Sequence, residues 1–355
     1  MRIRFPGLFD LQANGFAGVD FNAPGLTAAD VSLALARMRE TGVTRVLPTL
    51  VTSPFEDFAA GARILASITD AAIAGIHMEG PYLSPEDGPR GAHPRAHVRP
   101  ASADDFDRRQ DAAGGRIVLV TLAPEVPGAL ALIERLVAAG VRVALGHTAA
   151  SPQQIAEAIR AGATLSTHLG NGCATVLPRH PNVIWEQLAA DGLHASLIVD
   201  GHHLPASTVK AMVRAKGVER TILVTDAIAA AGCPPGRYRM GAVECELGAD
   251  GRVSLPGTPF LAGSSLTMDR AVANTVRFSG LPIEAVIAMA SVNPARYLGT
   301  TTAGTVTAEW DPERSALSAL TVDLGSDQGQ TGVRPGSDQG QTRVRPPSDP
   351  EDRTL

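Results

Sequence analysis

The sequence predicts an α/β protein whose core is a (β/α)8 barrel. Eight short apolar runs alternate along the chain with longer segments of helical periodicity. The apolar runs are continuous, which is typical of parallel strands that helices cover on both faces. No phosphate-binding pattern G-x-G-x-x-G follows the first run, and this argues against the competing open, doubly wound sheet.

The predicted strands and helices follow one another in regular order. Segments such as "LTAADVSLALARMRETG" and "SPQQIAEAIRAG" begin near Ser or Thr and stop at Gly, as amphipathic helices do. The eight predicted strands are the opening run from Phe5, "VTRVLPTL" from Val43, "AIAGIHME" from Ala72, "RIVLVTL" from Arg116, "VRVALGH" from Val141, "ATLSTHL" from Ala163, "ASLIVDG" from Ala195 and "RTILVTD" from Arg220.

The chain changes character near Thr300. We assign residues 1–299 to the barrel and residues 300–324 to a degenerate remnant of C-terminal strands. From Gly325 the sequence "GSDQGQTGVRP" is followed at once by "GSDQGQTRVRP", a tandem 11-residue repeat with almost no apolar side chains. Such a segment cannot offset the entropy of ordering, so we predict that residues 325–355 are disordered.

Composition excludes several classes of function. The net charge of −5 and a pI near 6.0 argue against a nucleic-acid-binding face. The three cysteines have no C-x-x-C spacing and are too few for a disulfide scaffold, which favours a reducing compartment. No apolar run approaches the roughly 20 residues that cross a bilayer. The N-terminus has no signal-peptide pattern. We therefore expect a cytoplasmic protein with no membrane or nucleic-acid partner.

Polar residues recur where the predicted strands end. In a (β/α)8 barrel the carboxyl ends of the strands carry the chemistry. A single histidine or carboxylate there has an ordinary explanation, such as a helix cap or a salt bridge. Several on different strands indicate a common site. These strand-end residues are Gln12, Asn14, Glu79, His147, His168, Asp200, His202, His203 and Asp226.

Glu79, His147 and His168 are a sensible set of metal ligands. One carboxylate and two imidazoles suit a catalytic zinc ion, and they also accept iron or another divalent ion. Asp226 adds a carboxylate that can take a proton from water and return it to a leaving group. His77 lies on the same strand face as Glu79, one layer deeper, and we interpret it as structural. His97, His180 and His194 are expected on loops or the surface.

Seven separated motifs occur in a fixed order between Phe5 and Gly299. They are "FDLQANGFAGVDFN", "HMEGPYLSPEDGPRGAHP", "LGHTAAS", "THLGNG", "DGHHLP", "LVTDAIAAAG" and "LAGSSLTMDRAV" with "MASVNPARYLG". In these motifs and their order the chain resembles the N-acetylglucosamine-6-phosphate deacetylases of the amidohydrolase superfamily. The resemblance implies a TIM-like barrel of a metal-dependent hydrolase.

The resemblance implies deacetylation of N-acetylglucosamine 6-phosphate to glucosamine 6-phosphate and acetate, a step of amino-sugar catabolism. It implies one divalent metal ion per subunit, a small-molecule substrate and a homodimer. By the same similarity Asp226 is the catalytic acid and base, and Glu79, His147 and His168 hold the metal. The residues it assigns to the substrate are His93, His203, Asn171 in the loop that holds the sugar phosphate, and Arg179, which can reach across a dimer interface.

Gln12 and Asn14 stand where many amidohydrolases have the His-x-His pair that holds a second metal. Amides are poor zinc ligands but good hydrogen-bonding groups, so this pair predicts a single-metal enzyme in which Gln12 and Asn14 bind the substrate.

Two departures from the family keep alternatives open. The loop "GNGC" (170–173) replaces a bulkier family sequence, which favours as an alternative another N-acyl substrate, such as N-acetylgalactosamine 6-phosphate or an N-acyl amino acid. The family's N-terminal β-sandwich is apparently missing. That difference and the repeat tail motivate the third hypothesis, a catalytically inactive barrel.

Overall fold

A computed structural model describes residues 1–241, 243–258 and 260–325. In these ranges it contains sixteen strands, ten α-helices and short 3-10 turns at Arg95–His97 and Val218–Arg220. The strands are β1 (Arg2–Pro6), β2 (Leu8–Ala13), β3 (Gly15–Phe16), β4 (Val19–Asp20), β5 (Val43–Val51), β6 (Ile76–Glu79), β7 (Ile117–Leu122), β8 (Arg142–Leu145), β9 (Leu165–Ser166), β10 (His194–Ile198), β11 (Thr221–Val224), β12 (Gly236–Met240), β13 (Val243–Leu247), β14 (Val253–Ser254), β15 (Thr305–Asp311) and β16 (Ala316–Asp323). The helices are α1 (Ala28–Arg39), α2 (Phe55–Ser67), α3 (Ala103–Ala112), α4 (Ala129–Ala138), α5 (Pro152–Ala161), α6 (Val183–Ala189), α7 (Ala206–Lys216), α8 (Met268–Ser279), α9 (Ile283–Ala290) and α10 (Val292–Leu298).

Eight parallel strands form the barrel in the order β2-β5-β6-β7-β8-β9-β10-β11. Neighbouring strands in this order are joined by parallel ladders, with register shifts between β2 and β5 and between β6 and β7, whereas β2 and β11 meet differently. They share a parallel bridge between Ala13 and Ala227, and the Asp226 N–H donates to the Gln12 carbonyl at 2.9 Å. We call residues 10–14 and 224–227 the β2–β11 seam. The barrel is therefore closed by the ends of its first and last strands.

The helices α1 and α5 begin as their sequences predict, whereas α2, α4 and α7 begin without a side-chain cap. Thr27 caps α1 in a capping box with Asp30, and Ser151 does the same for α5 with Gln154. Gly162 ends α5 in a left-handed conformation, which glycine adopts without strain. The strand residues are buried on both faces, as in β2, where every residue is buried. This burial confirms the interpretation of the continuous apolar runs.

Three small antiparallel sheets lie outside the barrel. β1 pairs with β15, and β15 pairs with β16. β12, β13 and β14 form a second sheet beside the carboxyl ends of the barrel strands, and β3 pairs with β4. The sheet of β1, β15 and β16 packs on the barrel through Phe5, Val306 and Trp310, all of which are buried.

The structure confirms the α/β barrel, and each of the eight predicted strands overlaps a barrel strand. One detail is wrong: the opening run is not a single strand, because Pro6 ends β1 and β2 begins at Leu8. Residues 305–323 form a hairpin, with a register shift between Thr307 and Glu309, and its strand β15 pairs with β1. The domain boundaries at residues 299 and 324 stay predictions. Apart from Gly325, the predicted repeat tail (325–355) lies outside the described residues, whose helices include none long and apolar enough to span a bilayer.

Candidate active site

The three predicted metal ligands meet at the carboxyl ends of their strands. Glu79 is the last residue of β6, His147 lies two residues after β8, and His168 lies two residues after β9. Glu79 Oε1 lies 3.0 Å from His168 Nε2 and 3.3 Å from His147 Nε2, and the two Nε2 atoms are 3.0 Å apart. All three side chains are buried. The structure therefore brings one carboxylate oxygen and two ring nitrogens to a single point.

The orientation of His147 fits a metal ion at that point. Its Nδ1 lies 2.9 Å from the Pro89 carbonyl, which can only accept a hydrogen bond, so Nδ1 carries the proton and Nε2 presents a lone pair. Gly172, in the loop "GNGC", packs against the other side of the ring. A Cβ at this position would come within 2.8 Å of His147 Nδ1. Only glycine therefore leaves room for the His147 ring in this orientation. A divalent cation would satisfy the converging lone pairs.

Three site residues have backbone conformations that L-residues seldom adopt. The φ angles of His147, His168 and Asp226 are +51°, +31° and +49°. Such left-handed conformations cost of order 1–3 kcal/mol each and persist where the surroundings fix them. Each of the three residues lies just beyond a strand end, so the conformation turns its side chain over the mouth of the barrel.

Gln12 and Asn14 connect this cluster to Asp226. Gln12 Nε2 donates to Glu79 Oε1 at 2.9 Å and to Asp226 Oδ1 at 3.1 Å. Asn14 Nδ2 donates to the same Asp226 oxygen at 2.7 Å. Amides donate to carboxylates without adding charge, and they hold Asp226 beside the metal-ligand cluster. Their contacts with Asp226 give the two amides a role in hydrogen bonding.

The electrostatics of the site separate its two carboxylates. Burial opposes charge on Glu79, but its contacts with His147 and His168 hold its pKa well below the usual range. Burial, reinforced by the nearby Glu79 charge, raises the pKa of Asp226 to about 6. Asp226 is therefore ionised at neutral pH and is still basic enough to accept a proton.

Two of the histidines that the resemblance assigned to the substrate lie beside the cluster. His93 Nε2 is 3.3 Å from His147 Nε2, and burial lowers the pKa of His93 to about 3, which favours the neutral ring. His203 Nδ1 lies 2.6 Å from Asp200 Oδ2. Burial opposes the Asp200 charge, but the hydrogen bond from His203 lowers the pKa of that carboxyl. Asp200 therefore fixes the orientation of the His203 ring.

A cavity of about 800 Å³ opens above these side chains. Asn171 lines it, together with Asn14, His93, His203 and the metal-ligand cluster. Arg179 is exposed and is not among the described residues that line it, so the structure does not bring this predicted residue to the site within one chain. The cavity is large enough for a sugar phosphate.

The cavity wall also contains residues that the sequence did not indicate. His97, expected to be a loop or surface residue without a role, lines the cavity, as do Arg239 of β12 and Arg252 just before β14. These three residues lie far along the chain from the end of any barrel strand, so the positions of the strand ends do not predict them. A layer deeper, His77 Nε2 contacts Thr121 Oγ1 at 2.8 Å, consistent with a structural role.

Comparison with known proteins places this geometry in a family. The family model of the amidohydrolase family matches residues 3–318. The chain belongs to the amidohydrolase family. Its relatives confirm the more specific resemblance to the N-acetylglucosamine-6-phosphate deacetylases.

The bovine N-acetylglucosamine-6-phosphate deacetylase is 37% identical over 83% of this chain and 74% of its own. The N-acetylgalactosamine-6-phosphate deacetylase of Escherichia coli O157:H7 is also 37% identical, over 83% of this chain and 78% of its own. Among solved structures, a mutant N-acetyl-D-glucosamine-6-phosphate deacetylase from Mycobacterium smegmatis, in complex with N-acetyl-D-glucosamine-6-phosphate, superposes with a TM-score of 0.83. It is 34% identical, over 90% of this chain and 85% of that one.

Proposed function

We propose that this amidohydrolase removes the acetyl group from N-acetylglucosamine 6-phosphate, giving glucosamine 6-phosphate and acetate. The observation that carries the proposal is the position of Asp226. Its carboxylate is tied by Gln12 to Glu79, so a proton-accepting group stands beside a ready-made metal site at the floor of a sugar-sized cavity.

In this reaction Asp226 moves the proton. Glu79, His147 and His168 would hold a divalent ion, which would supply a Lewis acid and lower the pKa of water. The oxygen of water joins the acetyl carbon, and Asp226 takes the water's proton. The carbon–nitrogen bond then breaks, and Asp226 gives the proton to the departing sugar amine. Gln12 and Asn14 hold the Asp226 oxygen in place throughout, and the neutral His93 can donate a hydrogen bond to the acetyl carbonyl oxygen.

We also propose the finer assignments. Zinc is the favoured ion because two imidazoles and one carboxylate form a common catalytic zinc set. Asn171 and His203 contact the sugar phosphate from within the cavity. Arg179, exposed on its own chain, fits a role across the interface of a homodimer. The three free cysteines among the described residues fit a reducing cytoplasm.

A second substrate has its own support. The Escherichia coli relative is named for N-acetylgalactosamine 6-phosphate and is as identical to this chain as the bovine relative is. The two sugars differ in the orientation of one hydroxyl group. The small residues of the loop "GNGC" beside the cavity make the choice between the two sugars an experimental question.

One experiment tests the proposal and ranks the substrates. Acetate release is measured from both N-acetylated sugar phosphates, from unphosphorylated N-acetylglucosamine and from an N-acyl amino acid, with the metal content determined on the same sample. We expect one bound divalent ion per chain and the highest kcat/KM with N-acetylglucosamine 6-phosphate. Preference for the galactosamine sugar or the amino acid would favour the alternative. A metal-loaded chain that releases no acetate from any of them would support an inactive barrel.

A further inference from the structure

A buried carboxylate beneath the site has no part in the reaction described above. Asp10 lies in the middle of β2 and is 0% exposed. It accepts hydrogen bonds from the Gln12 N–H at 3.1 Å and the Thr225 N–H at 3.2 Å, and also from the Thr225 hydroxyl. Burying a carboxylate is costly unless its oxygens are well occupied, so this position calls for an explanation.

Asp10 lies at the seam where the barrel is held together least regularly. In the described residues no continuous backbone ladder joins β2 to β11, only an isolated bridge, and at this seam Asp10 Oδ1 accepts a hydrogen bond from the Thr225 N–H. The Thr225 hydroxyl extends the network, because it receives the Ala227 N–H at 3.1 Å and lies 3.3 Å from the Gln12 carbonyl. Asp10 and Thr225 thus fix the backbone on both sides of Gln12 and Asp226.

The same seam carries the groups that handle the proton. The Asp226 N–H donates to the Gln12 carbonyl at 2.9 Å, and the Gln12 side chain reaches both Asp226 and Glu79. A slip of β2 against β11 would therefore separate Asp226 from Gln12 and Asn14. It would leave His203 and Asn171 unmoved, because they follow β10 and β9.

We propose that Asp10 is a positioning residue that, through Thr225, sets the register of β2 against β11 and so places Gln12 and Asp226 for proton transfer. The inference rests on the proposed function. A misplacement of about 1 Å can cost about 100-fold in rate. Loss of the Asp10 carboxylate should therefore lower kcat while substrate binding is preserved.

The test compares Asp10→Ala, Thr225→Val and Asp10→Asn by steady-state kinetics on N-acetylglucosamine 6-phosphate. We expect kcat to fall about 100-fold in Asp10→Ala and about 10-fold in the shape-conserving Thr225→Val, with KM within about twofold in both. Asp10→Asn keeps one oxygen acceptor for the two N–H groups and should retain kcat within about fivefold. Because Asp10 acts by placing Gln12, the two substitutions should not be additive. In a protein that already carries Gln12→Ala, Asp10→Ala should lower kcat much less than it does in the wild-type protein.

Asn293→Ala is the matched control. Asn293 is buried and holds the amino end of β11. It donates to the Val218 and Thr221 carbonyls at 2.7 and 2.9 Å. Its removal should lower the melting temperature with kcat within about twofold of wild type. A purely structural Asp10 would behave in the same way, with stability lost and kcat kept, and that result would overturn the inference.

A second measurement is independent of catalysis. Hydrogen exchange in the peptides covering 8–14 and 221–228 should accelerate in Asp10→Ala and Thr225→Val, relative to peptides of β7 and β8 in the same proteins. Unchanged exchange at the seam would refute the positioning role. If wild type released no acetate from either sugar phosphate, the proposed function would fail while the exchange result still decided the role of Asp10.

Discussion

The two ends of the barrel use buried polar side chains in opposite ways. At the amino ends of the strands, the polar side chains donate to main-chain carbonyls. Arg116, just before β7, donates to the carbonyls of Leu65, Ala66, Ile68 and Ile73 at 2.9–3.2 Å. Lys216 donates to the carbonyls of Gln187 and Ala190. Asn293 donates to two further main-chain carbonyls.

At the carboxyl ends, polar side chains contact one another. Glu79, His147, His168, Gln12 and Asp226 form a continuous cluster, and two buried atoms, Asn14 Oδ1 and His168 Nδ1, find no hydrogen-bond partner among the described residues. Polar side chains that line the cavity are available to a ligand, whereas donors saturated by backbone carbonyls stabilise the fold. Substitutions at the two ends should accordingly separate activity from stability.

The largest effect is expected for Asp226→Asn. The amide cannot take a proton from water, so kcat should fall about 10⁴-fold, the upper range for loss of a general base. Metal content should stay near that of wild type, because Asp226 is not in the ligand cluster. Kinetics and metal analysis on one preparation check both statements. Normal turnover, or loss of metal from this variant, would contradict the assigned role.

Removing the metal should have the next largest effect on activity. Dialysis against a chelator should lower kcat/KM about 10³-fold, equivalent to losing about 4 kcal/mol of transition-state stabilisation. The melting temperature should fall as well, because a bound ligand stabilises only the folded chain. Adding back zinc, iron or manganese in turn identifies the ions that restore turnover. Full activity after verified removal of the metal would exclude this site as the source of catalysis.

At the opposite end, Arg116→Met should cost stability alone. Four carbonyls lose their donor, and with partial access of water the free energy of unfolding should fall by about 3 kcal/mol. Urea denaturation measures the loss, and Arg116→Lys, which keeps fewer donors, is the matched control with a smaller loss. We expect kcat to stay within about twofold in both variants. A large drop in kcat would show that the two ends are coupled.

The smallest effect is a pH dependence of stability at Lys216. Burial lowers the pKa of this amine from 10.5 to about 8. Between these values the unfolded chain holds a proton that the folded chain has released, so the free energy of unfolding should rise with pH, by about 2 kcal/mol. Lys216→Met should lose this rise while keeping the rest of the pH profile. An identical slope in both proteins would contradict the assignment.

The sequence is informative about the site because barrel geometry places every strand's carboxyl end at one mouth. Glu79, His147, His168 and Asp226 can be located by this rule alone, since each follows an apolar run. His97, Arg239 and Arg252 cannot, because the paths of a long loop and a small sheet decide where they lie. The role of Arg179 stays a prediction about a second subunit.

Other features are hidden for different physical reasons. Asp10 is a single polar residue inside an apolar strand, and nothing in its neighbours reveals that Thr225, more than two hundred residues later, supplies its hydroxyl partner. The "GNGC" loop looks like a loss of substrate contacts, but Gly172 is small because the His147 ring lies against it. Such packing depends on contacts between distant segments, and spacing along the chain does not encode it.

The left-handed backbone at His147, His168 and Asp226 has a consequence for protein engineering. Glycine adopts this conformation without steric strain, so replacing Asp226 with glycine would relieve strain and remove the proton-accepting group while leaving the metal ligands in place. A screen of variants for heat resistance alone would therefore enrich enzymes that have lost their chemistry. Any programme to stabilise this barrel has to score turnover in every round.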